Sequence, residues 1–200
     1  MTARLGNKED KMITLKRISE ILPEVLSAKQ EYKDIILHDQ TEVSYGWEND
    51  FNKAYCEQKN IPCYNLLRGG GTIVYSKGNV SVGFTYNNRK YKRFMLVDMC
   101  NDLKGYLAAK GLNVEINHND ILVDGYKVAS CWGHNYGEGY NWTLELVQIS
   151  INQDLEAIKN ICLKPMVKIP KGLGEYGVTT QEIITWVEDW LAKNTNDSVV

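Results

Sequence analysis

Asp124-Gly125 separates two short β-rich runs, residues 121–123 and 126–132, and constrains the fold more tightly than any other dipeptide in the chain. A two-residue hairpin turn needs φ > 0 at its central positions, which Asp and Gly tolerate, so these runs are expected to pair antiparallel. Residues 112–117 and 140–150 carry further strand patterns, and Ile35-Ile36-Leu37-His38 reads as a short buried strand. Lys77-Gly78-Asn79, between residues 72–75 and 80–86, predicts a second hairpin in which those two strands pair.

Helical spacing alternates with these strands. Leu15, Ile18, Ile21, Leu22, Val25 and Leu26 recur at helical intervals, with Pro23 setting a kink or boundary inside the pattern, and residues 49–59 read as a polar helix before Pro62. Leu96, Met99, Cys100, Leu103 and Leu107 share one face and predict a helix over 92–110, closed by Gly111 as a left-handed cap. Residues 154–162 suggest a short helix. Thr179 with Glu182 forms a capping box before Ile183, Ile184, Val187, Trp190 and Leu191. The elements lack a regular βαβ beat, so the expected class is α+β, a single domain whose mixed or mainly antiparallel sheet packs against helices. We expect an N-terminal helical extension over 1–33, the main domain over 34–193 and a flexible tail over 194–200, since 200 residues suit a single core.

Composition narrows the function. A net charge of -2 supplies no field that would hold nucleic acid or an anionic membrane. The Arg89-Lys90-Tyr91-Lys92-Arg93 cluster is the one local footprint for nucleic acid, and it equally suits a solvated turn, an ATP phosphate or an acidic partner domain. No run approaches the roughly 20 apolar residues of a membrane span, and residues 1–11 contain no apolar leader core, so a cytoplasmic protein is expected. The five cysteines are odd in number and widely spaced, and the three histidines form no ligand pair, which argues against a disulfide framework and a metal centre of family-like spacing.

Gly69-Gly70-Gly71 interrupts an aromatic and β-branched stretch. Without Cβ atoms such a run lets a ligand approach the main chain, at a conformational cost of up to about 1 kcal/mol per glycine relative to Ala. The run suits either a cradle whose N–H groups face a phosphate or carboxylate, with Arg68 beside it, or a tight turn or bulge. No Gly-Lys-Ser or Gly-Lys-Thr follows, which excludes a Walker loop.

Glu48-Asn49-Asp50-Phe51-Asn52, then Asn60-Ile61-Pro62, then Gly69-Gly70-Gly71 after six residues, Thr72 to Tyr75 and Gly78-Asn79 together resemble the lipoate-protein ligase signature. Asn119-Asp120 and Lys127-Val128-Ala129, with a seven-residue step from Asp120 to Lys127, are similar to the Asn-Asp segment and lysine strand of lipoate and biotin ligases. The resemblance spans roughly residues 34–190 and implies a biotin/lipoate ligase-type fold. It implies activation of a small carboxylic acid with ATP and Mg²⁺ to an acyl-adenylate, then transfer to a carrier-protein lysine. Arg68, Gly69, Gly70, Gly71, Tyr75, Gly78 and Asn79 would line the acid and phosphate site. Asn119 would meet the nucleotide, and Asp120 would hold Mg²⁺ or orient Lys127, although an Asx turn explains both equally well. Lys127 would be the catalytic residue, since an ammonium group near the reacting phosphate and carbonyl stabilises their developing charge. A solvated strand lysine is the plain alternative.

The chain departs from this pattern. Asn65 and Leu66 stand where paired arginines usually precede the glycines, Tyr75-Ser76 where His-Asp is common, Ser130 where a glycine ends the lysine strand, and Trp142 where His-Gly-Thr-Leu has glycine. These differences predict an altered substrate or loss of adenylation, and with it a non-catalytic member that binds a small molecule or a partner protein. Octanoyltransferases of the same superfamily have Arg-Gly-Gly and Lys-Ile-Ala, to which Arg68-Gly69-Gly70 and Lys127-Val128-Ala129 correspond here, and use a cysteine nucleophile. Cys162 is the corresponding candidate, with a small apolar helix residue as the alternative.

Overall fold

Asp124 and Gly125 take φ of 51° and 80°, the left-handed pair that a tight hairpin needs, and join β7 (Asp120–Val123) to β8 (Tyr126–Tyr136). The structure is a computed structural model that describes residues 32–46, 50–65, 71–87, 95–136, 139 and 141–194. The helical pattern at 15–26, the basic cluster at 89–93 and nearly all of the expected extension and tail lie outside those residues. β7 and β8 belong to a six-stranded antiparallel sheet of order β1-β5-β9-β8-β7-β6, completed by β1 (Tyr32–Leu37), β5 (Val80–Asn87), β6 (Val114–Asn117) and β9 (Trp142–Ile149).

A second sheet of three strands has the order β3-β2-β4, from β2 (Glu42–Tyr45), β3 (Cys63–Asn65) and β4 (Thr72–Tyr75). β2 and β3 run parallel, so the architecture is mixed as well as mainly antiparallel. This corrects the expected hairpin at Lys77-Gly78-Asn79: β4 pairs with β2, β5 pairs with β1 and β9, and the turn crosses between sheets. The physical reason lies in the turn itself. Gly78 at φ 88° donates its N–H to His38 O (2.8 Å), and the buried Asn79 side chain accepts from the N–H groups of Ile151 and Asn152 (2.9 and 3.1 Å). These bonds hold the turn against two distant loops, so it cannot fold β4 back onto β5.

Helices cover both sheets. α1 (Lys53–Gln58) starts at the Asn52 cap, α2 (Met95–Ala109) ends where Gly111 takes φ 84°, and α3 (Leu155–Ile161) starts at Asp154, whose side chain accepts from Ala157 N. α4 (Thr180–Lys193) carries the reciprocal capping box read from Thr179 and Glu182. Met99, Leu103 and Leu107 of α2 and Ile183, Val187 and Trp190 of α4 pack on Val82, Phe84 and Val147 of the large sheet in one core. Burial of each such aliphatic side chain contributes on the order of 1.5–3 kcal/mol. Cys100 and Cys131 bring their sulfur atoms together inside this core, a pairing that sequence spacing did not reveal. Glu145, fully buried on β9, accepts from Tyr86 Oη (2.7 Å) and from Leu96 N (2.9 Å) in the first turn of α2, so a helix terminus satisfies a buried carboxylate. Val43, Phe51, Cys56, Val74, Ile158 and Ile161 form a smaller core between the small sheet, α1 and α3.

A buried polar joint ties the two sheets together. His38, just after β1, contacts Glu42 of β2 through Nδ1 (2.5 Å) and Ser81 of β5 through Nε2 (2.8 Å), and its ring stacks on Tyr75 of β4 at 4.5 Å. Tyr64 of β3 donates to the second Glu42 oxygen (2.7 Å), and Ser44 and Tyr75 share a hydrogen bond (3.0 Å). The relative position of β4 and β8, and with it the space between them, is therefore set by hydrogen-bonded side chains as well as by apolar packing.

Candidate functional site

Lys127 is the second residue of β8, directly after the hairpin, where a register shift at Ile121/Leu122 pairs it with Leu122. On its other side the main chain is gripped by an irregular segment: Lys127 N donates to Ile169 O (2.9 Å) and Lys171 N donates to Lys127 O (2.9 Å). That segment is held in turn by Gly172, packed so tightly under the 151–152 turn that a Cβ would strike the Ile151 carbonyl oxygen. A lysine whose backbone N–H and C=O are both bonded has a fixed origin, and only its side chain is left to move.

The side chain is oriented as well. Lys127 Nζ lies 2.9 Å from Asp120 Oδ1, and Lys168 Nζ lies 2.8 Å from Asp120 Oδ2 while also donating to Asn117 O (3.1 Å). One carboxylate thus holds two ammonium groups at the rim of a cavity of about 660 Å³. Gly71 and Thr72 from the start of β4, Asn117 and His118 from the β6–β7 turn, Cys162 at the end of α3 and the segment around 164–168 complete the wall. Lys164, also in the wall, pairs with Asp50 at 2.7 Å. Three lysines against Asp50 and Asp120 leave these walls net positive, the sign that suits a carboxylate or phosphate.

Burial raises the pKa of Asp120, but the ammonium groups of Lys168 and Lys127 outweigh it and hold the carboxyl below its ordinary value. A carboxyl with a lowered native pKa stabilises the fold fully above the unfolded value and loses that contribution as pH falls through the native one. The expected outcome is that acidification below pH 4 destabilises the protein through this group, and that Asp120→Asn, which lacks the charge at every pH, shows a shallower acid dependence in denaturant titrations. Equal slopes for the two proteins would remove Asp120 from this role.

The structure brings together Gly71, Asp120, Lys127 and Cys162 of the residues read from sequence. Arg68, Gly69 and Gly70 lie outside the described residues. Tyr75 is fully buried in the joint between the sheets and not in the cavity wall, and burial pushes its phenol well above the ordinary range. Gly78 and Asn79 form the sheet-to-sheet crossover, away from the cavity. Asn119 is exposed in the β6–β7 turn, with its carbonyl accepting from Cys131 N (2.8 Å), while its neighbours Asn117 and His118 reach the wall. Cys162 sits beside Lys127, whose charge favours a thiolate, but burial dominates and pushes the thiol up. Asp120 does not fit a Mg²⁺ ion, because lysines occupy both of its oxygens, and among the described residues no three His, Cys, Asp or Glu side chains are grouped to hold a metal.

Lys164 and Lys168 were not read from the sequence. The available signal was the spacing of Lys164-Pro165, Lys168 and Pro170-Lys171, in which prolines keep a segment out of helix while cations accumulate along it.

Comparison with known proteins follows the same lines. Residues 35–199 match the lipoyl protein ligase A/B catalytic domain. No curated protein matches the sequence significantly. Among solved structures the chain is similar to lipoate-protein ligase A bound with ATP, at 15% identity and a TM-score of 0.68, covering 85% of this chain and 76% of that one. It is similar to the bi-partite lipoate protein ligase of Thermoplasma acidophilum, studied with its E2 lipoyl domain, at 13% identity and a TM-score of 0.64, covering 82% and 71%. A third similarity is to P. falciparum LipL1 in complex with lipoate, at 16% identity and a TM-score of 0.60, covering 84% of this chain and 52% of that one.

Proposed function

The chain belongs to the lipoyl protein ligase A/B catalytic domain family, within the biotin/lipoate ligase superfamily, and from that premise we propose that it is an ATP-dependent ligase attaching a lipoate-like or other small carboxylic acid to a lysine of a carrier protein. The observation that carries this reading is Lys127, fixed through its backbone N–H and C=O and paired with Asp120 at the rim of a positively walled cavity. Solved relatives bound with ATP and with lipoate, and one studied with its lipoyl domain, support the choice of co-substrate, acid and acceptor. A requirement for ATP is consistent with a cytoplasmic protein, and no helix among the described residues is long and apolar enough to cross a membrane.

ATP, which the lysine-lined walls suit by charge, would pass its adenylyl group to the acid carboxylate with release of pyrophosphate, and the carrier amine would then displace AMP from the acyl-adenylate. Lys127 neutralises the acid carboxylate and the phosphate oxygen it meets, and then the charge that gathers on the carbonyl oxygen when an amine attacks. Asp120 pairs with both Lys127 and Lys168 and aims them at the same space. Because the donors are in place before the substrate arrives, little reorganisation is required during the reaction. We assign no step to a protein-bound metal.

The test is pyrophosphate release from ATP in the presence of lipoate, octanoate or biotin. Release that requires one of these acids is the expected outcome. Release with none of them, together with acyl transfer from a carrier thioester without ATP, would move the protein to the acyltransferase reading. Cys162 in the cavity wall is the observation that keeps that second reading in view. In that case alkylation of Cys162 should abolish transfer, whereas in the ligase a Cys162→Ala variant retains activity.

A further inference from the structure

A smaller chamber of about 140 Å³ opens beside the main cavity and shares Thr72, Lys127, Cys162, Met166 and Lys168 with it. Its inner wall combines Ile73, Val74 and Ile158 with four neutral polar side chains: Ser130, Gln148, Ser150 and Gln153. Ser130 and Gln148 face each other in register across β8 and β9. Gln148 and Ser150 are each only 5% exposed. Gln148 uses its amide N–H to donate to Val74 O (3.2 Å), while Gln153 buries its Oε1 with no partner. No side-chain hydrogen bond engages Ser130 or Ser150 among the described residues.

Buried polar atoms are nearly always satisfied, and those left open, here Gln153 Oε1, are costly unless something enters to complete them. Ordinary water could complete them, but the chamber continues a substrate cavity and begins at Lys127. Among the described residues its only cations, Lys127 and Lys168, are those it shares with the main cavity, so its depth suits a neutral group and not a phosphate. The volume corresponds to about five waters, far too small for a nucleoside.

Resting on the ligase reading above, we propose that this chamber receives the far end of the acid and selects a chain that terminates in a hydrogen-bonding group, such as an amide, ureide or hydroxyl, over a purely hydrocarbon chain. Gln153 Oε1 accepts a hydrogen bond from that end, the Ser130 and Ser150 hydroxyls donate or accept as the group requires, and Ile73 and Ile158 cover the methylenes before it. A saturated tail in the same place would leave the buried Gln153 Oε1 unpaired, and such a loss is the larger source of discrimination in polar pockets.

The experiment is calorimetric titration of the full chain with octanoate and with suberamate, its amide-ended counterpart, in the presence of ATP. Suberamate is expected to bind at least about tenfold more tightly, the size of one well-formed buried hydrogen bond. Ser150→Ala and Gln153→Leu, made separately so that failure of one variant to fold does not decide the matter, should each shrink the preference. Equal binding, tighter binding of octanoate, or a preference untouched in both variants overturns the proposal. So does binding of neither acid. Pyrophosphate release read on the same samples separates the two claims: if acids bind with the expected preference but release never occurs, the ligase reading fails while the chamber's selectivity stands.

Discussion

Lys127→Ala lowers acid-dependent pyrophosphate release by on the order of 10²–10³-fold, the usual cost of removing one preorganised charge-stabilising donor. The effect should fall mainly on kcat, because the cavity's other lysines still attract the anionic substrates while the charge that develops during reaction loses its partner. The fold should survive. Lys127 is half-buried, its backbone bonds to Ile169 and Lys171 do not involve the side chain, and Asp120 retains Lys168. Lys127→Arg is the informative companion: it keeps the charge but replaces a compact ammonium with a broad planar fork, so it should recover only part of the rate. A variant that loses rate and melting temperature together would instead place Lys127 among structural residues.

The second large effect is on stability. Glu42→Ala is expected to cost about 3 kcal/mol, since it leaves the buried His38 Nδ1 and the Tyr64 hydroxyl without their acceptor at the joint between the sheets. For a domain of this size that corresponds to a fall in Tm of roughly 6–12 °C. Glu42→Gln preserves an acceptor and should cost clearly less. Glu42→Ala should also weaken substrate binding, because β2 and β4 are paired and β4 carries Thr72 in the cavity wall. A melting temperature within 2 °C of the parent in Glu42→Ala would mean that the apolar packing of His38 and Tyr75 holds the sheets together unaided.

The sequence disclosed what short-range chemistry decides. Asp124-Gly125 specified its hairpin, Gly111 its helix end, and Thr179 with Glu182 the start of α4, because each of these depends on φ preference or on hydrogen bonds a few residues apart. The approach of Asp120 to Lys127 was legible for the same reason, since a hairpin brings the two strands together. The crossover at Gly78-Asn79 was not. Its outcome is decided by bonds to His38 and to Ile151, some 40 and 72 residues away, and the local pattern is that of an ordinary hairpin. The short β2 and β3 went unread because each takes its place from pairing with a partner strand and shows too little alternation of its own. Lys164 and Lys168 lie on a segment without periodicity, so only the fold reveals that they meet Asp50 and Asp120. Tyr75 shows the limit of carrying a role from a motif: its strand borders the cavity, but strand alternation turns its ring into the joint with His38.

Ligation by this protein is read from the intact mass of a lipoyl-type carrier domain after incubation with the protein, ATP and lipoate, octanoate or suberamate. The expected result is a gain equal to one acyl group on the carrier lysine, dependent on ATP and lost in Lys127→Ala. A gain that appears without ATP from an acyl thioester, or no gain with any acid while the protein is folded, would contradict it.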